Sequence, residues 1–363
     1  MSALTLIRSL SGSEFEPLVA LGAEGLLSEF LDREGVPWMR YPDIQPASAG
    51  SIWQQLKHAR SLVAPLGTFL EKHNIELVHS NDHMQHLTWM AATRHLGLAH
   101  IWHLRTAGLS RRMSLFAALF RPHLVTISRF CRNSYPRYIS ARCRIVRNPV
   151  FNLAPDLNKA ADRAWLTDQL DIDPNLTIVG WVGNFTAQKR PLEMLEIARR
   201  SPDEFFFVLV GEPREPMAGE ARRYLEQHKL HHRVHLAGLQ LPAHRWISAF
   251  DVLLSTAVRE GAGRSLLEAM ALGTPVIATA DGGHLEIVTD GNTGKLVAPS
   301  DTEGFCQALL RLTQEPARKA AMVEAARSEI HAQYSVAGHT ERMLTLYRSA
   351  GVGTGSRTAR VSP

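Results

Sequence analysis

Glu260 and Glu268 lie in the stretch Arg259-Glu-Gly-Ala-Gly-Arg-Ser-Leu-Leu-Glu-Ala-Met270, two carboxylates with glycines between them. Paired carboxylates can move protons or hold hydroxyl groups. Gly261 and Gly263 each cost a helix about 1 kcal/mol relative to alanine, so a single helix does not carry both acids. The pattern predicts a loop ending near Gly263 and a helix from Arg264 to Leu272, stopped by Gly273-Thr-Pro275. Glu268 then sits one turn into the helix, placed to accept both hydroxyls of a ribose. Glu260 stays on the loop, free to face a sugar. At Gly263 and Arg264 the helix N-terminus offers free N–H groups and partial positive charge to a phosphate.

Two further loops carry residues of the same kind. Gly183-Asn-Phe-Thr-Ala-Gln-Lys-Arg190 follows an apolar run and precedes Pro191, which opens a helix where a missing N–H costs nothing. Helix starts favour acids, so Lys189 and Arg190 are oddly placed unless they meet phosphate oxygens. Each such contact is worth about 1.5–3 kcal/mol. Gly183 and Asn184 open this loop. In Asp281-Gly-Gly-His-Leu-Glu286, Gly282 and Gly283 let the backbone approach a ligand closely. Each motif also has a plainer reading: a surface glutamate, solvated charges at a helix start, an ordinary turn.

These loops need a frame, and the chain supplies one. Thr177–Val182, Phe205–Val210, Val234–Leu236, Val252–Ser255 and Pro275–Thr279 read as strands, with helical patterns between most of them. Alternation of this kind implies a parallel sheet covered on both faces, and loops at the carboxyl ends of its strands are where ligands bind. The N-terminal half repeats the theme with strands at Leu77–His79, Ile101–His103, Leu124–Ile127 and Ile145–Val150. Helical runs cover Ile52–Leu70 and His83–Leu96. The chain opens on Leu4–Leu10, which reads as the tail of a helix, and Phe15–Leu21 then reads as a second strand. A first strand and its glycine turn are missing from the pattern, as in a sequence that starts too late. The expected division is a first domain over 1–150, a linker to about Lys159 within a second domain over 151–350 that keeps the last helix, and a disordered tail over 351–363.

With 363 residues and 45% hydrophobic content, two packed cores are affordable. Three cysteines without C-x-x-C spacing point to a reducing compartment, and no apolar run has the length of a bilayer span. The expected location is the cytoplasm, with contact at a membrane's inner face left open. A net charge of +5 suits an anionic partner such as a nucleotide diphosphate or acidic lipid. Nucleic acid fits poorly: Lys and Arg read as scattered, and no nucleic-acid motif is present. His228, His231, His232 and His235 fall at a helix-to-strand passage and read as a solvated turn, not a metal site.

On these residues, 177–315 resemble the nucleotide-binding domain of the retaining glycosyltransferases of family 4. Glu260-x7-Glu268, Glu268-Ala-Met-Ala271, Gly273-Thr-Pro-Val-Ile-Ala278, Gly282-Gly-x-x-Glu-Ile-Val288 and Gly291-x-x-Gly294 followed by Leu296-Val297 carry the likeness. Residues 15–150 are similar, more loosely, to the family's acceptor domain. The resemblance implies the GT-B fold, two Rossmann-like doubly wound α/β domains, here without the first strand. It implies a hexosyltransferase-like enzyme that moves a sugar from a nucleotide-diphosphate donor to a saccharide or lipid-linked acceptor with retention. Glycan, lipopolysaccharide or exopolysaccharide synthesis is the expected setting. It also implies that Glu268 binds ribose, Lys189 the diphosphate, and Glu260 the transferred sugar, and that Gly282 and Gly283 offer backbone N–H groups to sugar or phosphate. His103, in Ile101-Trp-His-Leu-Arg105, matches the active-site histidine of the first domain. Asn184 stands where many members have arginine, and Arg190 is the candidate substitute.

No metal or other cofactor is expected, since the D-x-D at Asp171–Asp173 reads as a turn before a strand. Two other identities stay open: a non-catalytic sugar-nucleotide binder and, on the same two-domain plan, a sugar-nucleotide epimerase. Ser110–Arg121 is a basic helix with bulky apolar residues. It can dock on an anionic membrane or pack on its own sheet with its charges in water.

Overall fold

The computed structural model describes residues 2–10, 12–42, 44, 50–150 and 158–351. Residues 151–157 of the expected linker and the expected tail after Gly351 lie outside the described residues. The chain forms two units, residues 1–147 with 336–363, and residues 148–335.

In the first unit, β1 (Val19–Leu21) and β2 (Trp38–Arg40) pair in parallel as a sheet of their own. Four more strands, β3 (Leu77–Ser80), β4 (Ala99–Leu104), β5 (His123–Thr126) and β6 (Cys143–Ile145), form a parallel sheet in chain order. Local chemistry sets the helices around it. Asp82 caps helix His83–Leu96 through Gln85 N–H, and Gly97 ends it in the left-handed region at φ 67°. Ser110 caps helix Arg111–Phe120 through Met113 N–H.

Three expectations shift here. The run Ile52–Leu70 is two helices, Ile52–Ser61 and Val63–Lys72. Pro65 has no N–H to give the Ser61 carbonyl, so the ladder cannot run through. The strand placed at Ile145–Val150 ends at Ile145, because Val146 N–H makes the last bond back to the Thr126 carbonyl, at 2.8 Å. The last helix, Val336–Ser349, belongs to the first unit and not the second. Its Met343, Leu346 and Tyr347 pack with Leu6, Leu10, Ile101, Val125 and Val146. Helical periodicity marks an apolar face but not which sheet it covers.

The second unit is one six-stranded parallel sheet of β7 (Thr177–Val182), β8 (Phe205–Val210), β9 (Val234–Gly238), β10 (Val252–Ser255), β11 (Val276–Thr279) and β12 (Lys295–Val297). Their order across the sheet is β12-β11-β10-β7-β8-β9. Chain progression therefore reverses between β10 and β7, the doubly wound switch point. Separate apolar clusters include Phe205, Phe207 and Phe305 in one, and Ile178, Phe250 and Met270 in the other. Gly180, in the middle of β7, faces Phe250 so closely that a Cβ would lie 1.8 Å from the ring.

The first unit's interior is more polar. Trp102 Nε1–H donates to His100 Nδ1 (3.3 Å), so His100 carries its proton on Nε2 and gives it to Ser80 Oγ (2.9 Å). Ser80 in turn lies 2.6 Å from His86 Nδ1. Burial lowers the pKa of His86 well below 6.5 and that of His100 to about 3. These rings fold neutral and protonate in the unfolded chain. Their contribution is complete above pH 6.5 and is lost as pH falls toward 3. At pH 5 each costs up to about 2 kcal/mol. Calorimetry at pH 7 and pH 5 should show the first unit's transition falling further than the second's. His100→Asn, which cannot take a proton, should narrow that gap.

Candidate functional site

Three loops meet at the carboxyl edge of the second sheet, following the adjacent strands β7, β10 and β11. The loop after β7 is zipped to the loop after β10. Val258 N–H donates to the Gln188 carbonyl (2.9 Å), and Gln188 Nε2 donates to the Arg259 carbonyl (2.9 Å). Thr256 Oγ1 donates to the carbonyls of Lys189 and Arg190, and accepts from Trp181 Nε1 (3.1 Å). The result brings Lys189 Nζ to 2.6 Å from Glu260 Oε2. Both side chains stay partly exposed, at 24% and 17%.

The loop after β11 supports Glu260 from below. Asp281 Oδ1 accepts from Arg259 N–H (2.8 Å), and Gly283 N–H donates to the Glu260 carbonyl (2.7 Å). A Cβ on Gly282 would lie 2.8 Å from the Glu260 carbonyl oxygen, and one on Gly283 would lie 2.6 Å from that of Gly261. This corrects the expectation for Gly283. Its N–H is spent on the Glu260 loop and is not offered to a sugar or phosphate. The two glycines are needed because loop packs on loop.

Gly263 caps helix Arg264–Ala271 at φ 29°, packed over His284, to whose Cδ2 a Cβ would come within 3.0 Å. His284 is wholly buried, bonded to the Thr279 carbonyl (3.0 Å), and burial lowers its pKa. Glu268, only 9% exposed, lies one turn into this helix, where Arg264 Nη2 meets its Oε1 at 3.2 Å.

The remaining residues of the β7 loop hold the scaffold. Asn184 Oδ1 accepts from Glu212 N–H (3.4 Å), tying the loop to the end of β8. Gly183 is where the two strand ends cross: a Cβ on Gly211 would lie 1.9 Å from its carbonyl oxygen. Arg190 adopts φ 54° and binds Glu193 (2.8 Å) and Ser300 Oγ (2.8 Å). As the proposed substitute for an arginine at 184 it is already engaged on its own helix. Gln188, Thr256, Asp281 and His284 escaped sequence reasoning because their partners lie on other loops. Their only signal was a place within the motifs or beside them.

His103 lies in the first unit, on β4. Arg105 Nη2 reaches its Nδ1 at 3.3 Å, and His79 Nε2 reaches the same atom at 3.2 Å. A guanidinium only donates, so Nδ1 accepts and the proton of the neutral ring sits on Nε2. Tyr347 holds the far side of His79 at 2.8 Å. The His103 ring is 1% exposed, its Nε2 has no protein partner, and burial together with Arg105 lowers its pKa well below 6.5. His103 is thus set as a hydrogen-bond donor. Asp171 is the left-handed end of helix Lys159–Leu170, and Asp173 caps the turn at Asn175.

Residues 176–315 match the family described as glycosyl transferases group 1. Over those residues the chain is similar to the group 1 glycosyl transferases. It is 30% identical over 227 residues to the alpha-maltose-1-phosphate synthase of Mycolicibacterium smegmatis, covering 59% of each chain. With the lipopolysaccharide core biosynthesis glycosyltransferase LpsE of Rhizobium meliloti it shares 29% identity over 196 residues, 52% of this chain and 54% of that one. The matches thus span little more than half the length of these relatives.

Solved structures extend the likeness in fold. The Anabaena protein HepE, seen in complex with UDP and glucose, aligns with TM-score 0.79 at 20% identity over 96% of each chain. A glycosyltransferase from Rickettsia africae aligns with TM-score 0.80 at 16% identity, over 97% of this chain and 95% of that one. Two Rossmann-like α/β units in one chain form the GT-B fold.

The second unit makes a specific structural demand at Gly283. Gly283→Ala keeps the N–H but forces a methyl against the Gly261 carbonyl. The unit should still fold, with its melting temperature lowered by a few degrees, as overpacking costs about 1–3 kcal/mol. Differential scanning calorimetry checks it; an unchanged melting temperature would refute the tight fit.

Proposed function

We propose that this protein transfers a sugar from a nucleoside-diphosphate donor to an acceptor hydroxyl, with retention at the anomeric carbon. The observation that carries the reading is the contact between Lys189 and Glu260 at the sheet's switch point, with Glu268 buried one helical turn beyond. Lys189 has three donors, so it can keep Glu260 and still meet a diphosphate oxygen. Glu260 would then face the sugar next to the phosphate, and Glu268 would accept the ribose hydroxyls. As the bond to the diphosphate breaks, Lys189 and the N-terminus of helix Arg264–Ala271 would take up the leaving charge. The acceptor hydroxyl would attack from the face the leaving group vacates and pass its proton to the departing diphosphate oxygen.

The role of His103 rests on the resemblance and on its tautomer. An Nε2–H donor suits a ligand oxygen; it does not suit proton abstraction. Positive charge from Lys189 and backbone N–H groups makes a metal unnecessary in this scheme. The named activities of the relatives support polysaccharide or glycolipid synthesis as the setting.

Two measurements test this. Glu268→Ala should weaken UDP or GDP binding by about 10- to 100-fold, the worth of a lost charge-assisted pair of hydrogen bonds. Glu260→Ala should leave binding within a few-fold and lower donor turnover by at least about 100-fold. If both variants behave alike, the division of roles is wrong. A parent protein that binds donor but neither hydrolyses nor transfers it is a binding protein. Turnover lost in EDTA and restored by Mg²⁺ would sink the metal-free scheme.

A further inference from the structure

We infer that the first unit carries a docking surface for a bilayer containing anionic lipid, centred on helix Arg111–Phe120. It stands independently of the chemistry proposed above. The acids, more than the bases, are unevenly spread in this chain. Residues 83–155 hold eleven arginines and no lysine, aspartate or glutamate. That segment is net +11 against +5 for the whole chain, which leaves −6 for the rest.

The helix answers both readings of its sequence at once. Met113, Ser114, Phe116 and Ala117 are buried. Arg111, Arg112, Leu115, Ala118 and Leu119 face solvent, with Leu115 and Leu119 at 50% and 56% exposure. Leucines four residues apart lie on one stripe. At the first turn, Arg112 Nη1 donates to the Gly50 carbonyl (2.5 Å), which sets this end beside the start of helix Ile52–Ser61. Trp53, in the first turn of that helix, is 77% exposed. At the other end, Arg94, Phe120, Arg121 and His123 line one hollow. The stripe is therefore apolar along its middle and has cations at both ends, and the helix that carries the exposed Trp53 starts beside one of them.

Charge selects the occupant. A second copy would present the same cationic helix and be repelled. A soluble polyanion would use the arginines but gain nothing from two leucines and a tryptophan in water. An anionic bilayer uses both, with arginines at lipid phosphates and the apolar side chains at the acyl boundary.

The test uses the full chain and sedimentation with vesicles of phosphatidylcholine alone or with 30% phosphatidylglycerol added. Binding is expected only to the second, weakening as salt rises. Arg111→Gln with Arg112→Gln and Arg121→Gln should lower the partition by roughly a hundredfold, at about fivefold per arginine. Leu115→Gln with Leu119→Gln should lower it at least about tenfold with all charges kept. Arg214→Gln with Arg222→Gln, in the other unit, should change nothing. Circular dichroism confirms that each variant is folded, which its exposed positions favour. Equal partition to both vesicle types would overturn the proposal. So would anionic binding that survives either set, or binding lost with the arginines but indifferent to the leucines and matched by dextran sulfate.

Discussion

The 2.6 Å contact between Lys189 and Glu260 is the constraint to which the second unit's loops conform. A lysine and a glutamate held this close are expensive to align when both chains are free, because each loses rotamer freedom. Backbone bonds remove most of that cost in advance. Gln188, Thr256 and Arg259 fasten two loops together, and Gly282 and Gly283 let a third pack beneath them. The pair is thus set by the hydrogen bonds between these loops and not by its own Coulomb energy. A loop so fastened can present a charged group without reorganising when a ligand arrives, the condition for electrostatic catalysis.

Much of this was legible in the chain because buried parallel strands read as apolar runs. β7, β8 and β10 emerged with the bounds that the structure shows, and the loops after them followed. Glu260 and Glu268 separated into loop and helix on the strength of Gly261 and Gly263 alone. Partners of backbone groups stayed hidden. The glycine pair 282–283 signals close approach, but whether to a ligand or to another loop depends on tertiary distance. Gly283 resolved the second way. Arg190 showed the same gap: its type fits a phosphate, yet Glu193 one turn on and Ser300 far along the chain hold it. The last helix was misplaced because amphipathicity names a face, never the surface that face will meet.

The two units stabilise themselves by different means. The second relies on shape, with Gly180 against Phe250 and rings filling both faces of the sheet. The first threads hydrogen bonds through its interior, Trp102 to His100 to Ser80 to His86, and Tyr347 to His79 to His103. Such chains fix the tautomers of His100, His79 and His103, because a neutral ring that accepts at one nitrogen must donate at the other. Both chains end on a buried Nε2 without a protein partner, on His86 and on His103. An unmet buried N–H is costly. The same network that orients His103 therefore also makes the first unit the more acid-sensitive one.

Charge divides the units as sharply as packing does. Inside an acid-free segment no arginine can be neutralised by a neighbour in sequence, so the field outside adds up instead of cancelling. The second unit pairs its arginines locally, as at Arg199 and Arg200 with Glu196 and at Arg222 with Glu215. In the first, Arg142 turns to the Ala117 and Pro122 carbonyls, and Arg144 to a serine hydroxyl. Hydrogen bonds to neutral groups leave the positive charge in place. A fold selected only for solubility would gain by scattering acids among these arginines. Their absence over residues 83–155 is cheap in stability, since most of the arginines are exposed. It is useful when the surface must meet phosphate, whether that phosphate is carried by a lipid or by an acceptor held on one.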